Sequence, residues 1–122
     1  MATELEIFDP AQSIERVGGN KLLAIELFSM LLKELPGYLE KIRHHSQKGD
    51  TAGLKETIHS LNGSIAYCGV PALKAIAREC ETTINHGQPE EHNTIVEMVM
   101  DEIEHLLTFA RENTLPLLFS SV

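Results

Sequence analysis

Apolar residues recur along the chain at spacings of three and four positions, the pattern of amphipathic helices. The sharpest example is a narrow stripe between residues 54 and 68, formed by Leu54, Ile58, Leu61, Ile65 and Cys68. Broader apolar faces predict a helix from about Lys21 to about Gln47, one that starts at Pro71, and one from about Glu90 to about Glu112. No stretch shows the two-residue alternation of a strand, so the predicted fold class is all-α.

Local signals at the helix ends divide this pattern into separate elements. Asp9-Pro10 has the residue types of an N-cap and a first helical position, and predicts a short first helix that Gly18-Gly19 ends. Asn20 and Asp50 are predicted to cap the next two helices, and Gly69 to end the third. Four long helices with short connections predict an antiparallel four-helix bundle, with the short additional N-terminal helix covering one end.

Length and composition narrow the class of protein. A chain of 122 residues predicts a single domain, with the core bundle at about 20–112 and flexible tails at 1–8 and 114–122. The formal net charge of -8 argues against nucleic-acid and anionic-membrane partners, because both require basic surfaces. Two cysteines, Cys68 and Cys80, are too few for a disulfide scaffold and lack zinc-ligand spacing. We expect buried free thiols, a monomer and a cytoplasmic location, either alone or as the cytosolic part of a membrane-anchored protein.

His59 lies on the side of the third helix that faces away from the apolar stripe. At ~100° per residue, the stripe averages about 140° from His59, so the imidazole is predicted to face solvent. The same face carries several small or polar residues, namely Ala52, Lys55, Glu56, Asn62, Gly63 and Ala66. Glycine inside a helix costs about 1 kcal/mol relative to alanine. We therefore interpret Gly63, with Ala66 and Ala52, as clearance for the backbone of a docking protein.

The segment from His59 to Gly69, HSLNGSIAYCG, resembles the motif of histidine-containing phosphotransfer (HPt) domains. With the following Val70-Pro71 it is similar to the HPt domains that end hybrid sensor histidine kinases of the BarA/GacS type. The resemblance implies a phosphorelay carrier in which His59 accepts a phosphoryl group from one receiver-domain aspartate and passes it to the receiver of a response regulator. It implies no bound cofactor in this chain and Mg²⁺ in the partner receiver.

The resemblance also suggests roles for residues around the histidine. A Gln or Glu on the next helix orients the imidazole in related domains, and Glu81 stands at the matching position; a surface Glu81 paired with Arg78 is the alternative. The family usually has a lysine that helps hold the phosphoryl oxygens where this chain has Asn62, which is expected to donate a hydrogen bond to the phosphoryl group but carries no charge. Lys55 is predicted to supply that charge, and Lys74 and Arg78 are predicted to line the docking surface.

Two other functions compete with the relay. Glu56-x-x-His59 and Glu102-x-x-His105 formally match the ligand spacing of di-metal carboxylate bundles, although both histidines are predicted to face away from the core. The second rival is a docking module with an inert histidine. The chain contains no glycine-rich nucleotide loop, so it is not expected to be an autonomous kinase.

Overall fold

The computed structural model describes residues 5–120 and 122, and helices account for most of them. The elements are α1 (Pro10–Glu15), α2 (Lys21–Lys48), α3 (Thr51–Ile65), α4 (Pro71–His86), α5 (Pro89–Glu112) and α6 (Leu115–Leu118). The described residues include no strand, which confirms the predicted all-α class. Within the same residues, no helix combines the length and the apolarity needed to cross a membrane.

The predicted N-caps occupy the first ends of α1, α2 and α3. The side chain of Asp9 accepts a hydrogen bond from Gln12 N at 3.1 Å, and that of Asn20 accepts one from Leu23 N at 3.0 Å. Asp50 accepts one from Gly53 N at 2.9 Å, and this bond is the main reason that the pKa of Asp50 is lowered. Each cap satisfies a backbone N–H group that the first turn leaves without a helical partner.

The four long helices form a closed bundle around one aliphatic core. Each packs on its neighbour in the chain, and α5 returns to pack on α2. The predicted stripe of α3 is fully buried, as are the facing residues of α2 and α5, among them Leu31, Leu35, Val99 and Ile103. Cys68 and Cys80 are buried free thiols, and burial raises their pKa values to about 11 and about 12 because the thiolate loses hydration.

The N-terminal segment lies against the connection between α3 and α4. Asp9 N donates to Gly69 O at 2.7 Å, and Ala72 N donates to Glu6 O at 3.0 Å. A Cβ atom at Gly69 would overlap the backbone of Asp9 and would lie 2.8 Å from Ser13 N. Gly69 thus allows α1 to approach closely. Its φ angle is not positive, so space and not backbone conformation is the reason for glycine here.

The segments 1–8 and 114–122, which were predicted to be flexible tails, each contribute a residue to the core. Phe8 stacks on Phe28 of α2 with ring centroids 4.4 Å apart, and Phe119 meets Phe8 edge-on at 5.3 Å. Both Phe8 and Phe119 belong to the buried core. Aromatic burial therefore holds both ends of the chain against the bundle. Residues 1–4 and 121 lie outside the described part.

Candidate functional site

His59 projects from α3 with an exposed imidazole next to α4. Its side chain is 81% exposed, and its Nδ1 lies 2.8 Å from Oε2 of Glu81. Because a carboxylate only accepts hydrogen bonds, Nδ1 carries the ring proton in this contact. In the neutral imidazole the other ring nitrogen, Nε2, then has a lone pair available for attack on an electrophile. The contact matches the predicted Glu81–His59 pairing, and the alternative pairing of Glu81 with Arg78 is absent among the described residues.

Asn62 contacts Glu81 and two main-chain carbonyls, which differs from its predicted contact with the phosphoryl group. Its Nδ2 lies 2.9 Å from Glu81 Oε1, 3.1 Å from Ala77 O and 3.2 Å from Ile58 O. All three partners are acceptors, so both amide hydrogens are engaged inside the fold. Asn62 therefore ties the second oxygen of Glu81 to α3. It also lines the cavity that contains His59, and its hydrogen bond to a phosphoryl group stays a prediction.

The surface beside His59 is open at the glycine and alanine that follow it. Gly63 is exposed, and a Cβ atom built on it would have no neighbour within 4 Å. The fold itself therefore does not require glycine at this position. Ala66 is half-buried one turn further along, and Tyr67 beyond it is 60% exposed.

A cavity of about 440 Å³ lies between His59 and the basic residues of neighbouring helices. Its walls include Lys74 and Arg78 from α4 and Arg16, the residue that caps the C-terminal end of α1. The pKa of Lys74 is lowered by partial burial and then by the nearby charges of Arg16 and Arg78. No carboxylate of the described residues lies within ion-pairing distance of the three cations. Positive charge is thus concentrated here on an otherwise acidic chain.

Two of the predicted site residues lie outside this cavity. Ala52 lines a different cavity, of about 620 Å³, between α2 and α3. Lys55 is exposed one turn before His59 but is not among the residues that line the histidine cavity. Lys55 was predicted to lie near His59 because the two residues are one helical turn apart on α3. The cations that line the cavity come instead from α4 and from the C-terminal end of α1.

Arg16 and Tyr67 were not predicted to belong to the site. Arg16 gave no signal in the sequence, because it reaches the cavity only through the packing of α1 on the α3–α4 connection. Tyr67 belongs to the segment HSLNGSIAYCG and lies just beyond the end of α3. That position in the motif could have identified it as a residue of the site.

The side chains of the two Glu-x-x-His pairs do not form a metal site in the bundle core. His59 and His105 are 81% and 63% exposed, and the side chain of His105 forms one hydrogen bond among the described residues, to its own Glu102 at 3.4 Å. Across residues 5–120 and 122, no group of three or more His, Cys, Asp and Glu side chains is arranged to hold a metal ion. The di-metal alternative is wrong on this geometry, because its ligands must converge inside the bundle.

The bundle, with its exposed histidine paired to a carboxylate, has the features of a histidine phosphotransfer module, and residues 26–113 match the family model described as Hpt domain. The chain belongs to that family. HPt domains are phosphocarriers of two-component phosphorelays and are not kinases, so this chain is assigned to phosphotransfer in such a relay.

Similar proteins include hybrid kinases and a solved HPt domain. The chain is 28% identical over 107 residues to the sensor histidine kinase GacS of Pseudomonas protegens, covering 88% of this chain and 11% of that protein. It is 32% identical over 79 residues to the signal transduction histidine-protein kinase BarA of Escherichia coli, covering 65% and 9%. The crystal structure of the HPT domain from a Shewanella hybrid histidine kinase matches with a TM-score of 0.81 and 26% identity, covering 89% of this chain and 94% of that one. The chain therefore spans about a tenth of the length of these curated relatives.

Proposed function

We propose that His59 accepts a phosphoryl group from a receiver-domain aspartate and passes it to the receiver aspartate of a response regulator. The observation that carries this proposal is the exposed imidazole whose Nδ1 is held by Glu81. That contact orients the ring and fixes its tautomer, while the other nitrogen remains free to react. The kinase that loads the first receiver lies outside this chain.

The chemistry of each transfer follows from this arrangement. The lone pair of Nε2 attacks the phosphorus of the aspartyl phosphate, the P–N bond forms, and the P–O bond to the aspartate breaks. The aspartate leaves as a carboxylate, so no proton has to be removed from the histidine. The phosphorylated ring keeps its proton on Nδ1 and gains positive charge, which the Glu81 carboxylate stabilises. The second transfer is the reverse of the first, with Mg²⁺ supplied by the partner receiver.

Positive charge near the phosphoryl group comes, in this proposal, from Lys74 and Arg78. Both line the cavity that contains His59, and Lys74 is partly buried there. They would take the role that related domains give to a lysine at the position of Asn62. Lys55, which spacing had suggested for this role, is the less favourable candidate because it lies outside the cavity lining.

Docking of a receiver is proposed to use the open surface around Gly63 and Ala66. Their small side chains leave the imidazole accessible to another protein's backbone, and the cations of α4 complement an acidic phosphorylation site. We further propose that the domain works as a monomer in the cytoplasm, where the buried thiols of Cys68 and Cys80 remain reduced.

The proposal is tested by incubating the domain with a radiolabelled phosphorylated receiver and Mg²⁺. The wild-type domain should acquire a label that is labile in acid and stable in base, as a phosphoramidate is, and His59→Gln should acquire none. His105→Gln is the matched control, because His105 is also exposed and also contacts a glutamate. Full labelling of His59→Gln would contradict the proposal, and receiver binding without any labelling would support a docking module with an inert histidine.

A further inference from the structure

The cavity beside His59 receives one cation from a segment outside the family match. The Hpt match covers residues 26–113, whereas Arg16 directly follows α1. Arg16 lines the same cavity as His59, Lys74 and Arg78. Three cations from two separate helical segments therefore surround a site that contains a single carboxylate, that of Glu81.

Backbone contacts hold Arg16 in this position. Asp9, the N-cap of α1, donates to Gly69 O at 2.7 Å, and Gly69 lies too close to α1 to accommodate a side chain. At the other end of α1, the backbone N–H of Arg16 donates to Gln12 O at 2.9 Å. The base of the arginine is thus fixed, while its exposed side chain remains free of any ion pair with a described carboxylate.

The chemistry of the cavity suits a dianionic phosphoryl group. A guanidinium group presents several N–H donors in a planar arrangement that matches phosphate oxygens, and it remains charged at every physiological pH. The two cations of α4 approach from the helix that also carries Glu81, whereas Arg16 approaches from α1. Partial burial, and after it the nearby charges of Arg16 and Arg78, lowers the pKa of Lys74, and an anion between the cations would offset their repulsion.

We infer that Arg16 is a phosphoryl-binding residue, which contacts the phosphoryl oxygens once His59 is phosphorylated and stabilises the dianion. This inference rests on the proposed function of His59. It adds Arg16, which directly follows α1, to the reactive site, so that the site of this chain extends beyond the part that the family match covers.

The first test measures the ionisation of the phosphoryl group on the intact domain. Phosphoramidate is the chemical phosphodonor, and the ³¹P resonance of His59 is identified by its absence in His59→Gln. A nearby cation favours the dianion over the monoanion. Removing the cation should therefore raise the pH at which half of the phosphoryl groups are dianionic, which is the midpoint of the ³¹P titration. Arg16→Gln is expected to raise the midpoint by about half a unit, roughly a threefold change in proton affinity. Arg43→Gln removes the same charge from an exposed arginine outside the cavity and should leave the midpoint unchanged.

The second test separates phosphoryl binding from docking. The equilibrium distribution of phosphoryl groups between dilute receiver and dilute HPt domain does not depend on how tightly the two proteins dock. Arg16→Gln should shift that distribution away from His59 by about threefold, and Arg16→Lys should restore part of it. A slower transfer with an unchanged distribution and an unchanged ³¹P midpoint would overturn the inference and assign Arg16 to docking. Absence of labelling in the wild-type domain would instead refute the function of His59.

Discussion

At the scale of single residues, Asn62 shows how a change of side chain alters the way a site is held together. Where related domains place a lysine, this chain has an amide whose hydrogens contact Glu81 and two main-chain carbonyls. The amide holds Glu81, and Glu81 holds the imidazole. We therefore propose that Asn62 is a positioning residue that acts on His59 through the carboxylate.

Replacing Asn62 with alanine should loosen Glu81 and slow phosphoryl transfer about threefold to tenfold, the effect of losing one hydrogen bond worth about 1 kcal/mol. The ¹⁵N chemical shifts of the His59 ring should also move toward a mixture of the two tautomers. Asn93→Ala is the control, because Asn93 is an exposed asparagine of α5 that forms none of the side-chain hydrogen bonds found among the described residues. Unchanged tautomer shifts in Asn62→Ala would show that Glu81 keeps its orientation without the amide.

The source of positive charge can be tested by comparing two lysines. Lys74 lines the cavity, so Lys74→Ala should slow transfer about threefold to tenfold; Lys55 lies outside the lining, so Lys55→Ala should change the rate less than about twofold. Rates from rapid-quench labelling would measure both, with circular dichroism as the check on folding. If Lys55→Ala slowed transfer more than Lys74→Ala did, Lys55 would be the source of positive charge near the phosphoryl group.

At the scale of elements, α1 depends on a glycine in a distant connection. A side chain at Gly69 would overlap the backbone of Asp9, and backbone atoms yield less easily than the end of a flexible side chain. We expect Gly69→Ala to lower the free energy of unfolding by about 1–3 kcal/mol, as for other overpacked sites. Urea denaturation would measure the change.

Gly63 provides the matched control for this substitution. An added Cβ at Gly63 meets open space, and alanine favours helix over glycine by about 1 kcal/mol. Gly63→Ala is therefore expected to leave stability unchanged or to increase it. If both variants lose the same stability, the contact between Gly69 and α1 is not the cause.

The elements themselves were largely predictable from sequence, whereas their mutual packing was not. Asp9, Asn20 and Asp50 act within three residues of their own positions, so a local pattern was enough to identify them as caps. Helical periodicity likewise separated His59 from the buried stripe, and family resemblance supplied Glu81. Arg16 and the partners of Asn62 depend on how one helix is rotated and placed against another, which periodicity within a single helix does not encode.

At the scale of the whole molecule, aromatic packing joins the two ends of the chain. Phe8 and Phe119 are far apart in sequence, yet their rings are 5.3 Å apart and both are buried against α2. This contact explains why apolar residues outside the predicted bundle belong to the core. It also makes residues near the C-terminus part of the folding unit.

Truncating Phe119 to alanine should cost about 3 kcal/mol or more, because a large buried ring is lost and a cavity remains. Leu117→Ala should cost far less, because Leu117 lies in the short helix that precedes Phe119 but is 67% exposed. Equilibrium unfolding in urea compares the two variants directly. Equal stabilities would mean that the C-terminal segment can leave the bundle without penalty, as a flexible tail would.

The exposed position of His59 on one face of α3 has a kinetic consequence. If His59 is the nucleophile, as proposed, its place on a single helical face gives access to one receiver at a time, so donor and acceptor have to alternate. Turnover should then follow ping-pong kinetics, with parallel lines in double-reciprocal plots. An excess of unphosphorylated acceptor would occupy the free domain and inhibit its reloading, so the flux through the relay should pass through a maximum as acceptor concentration rises.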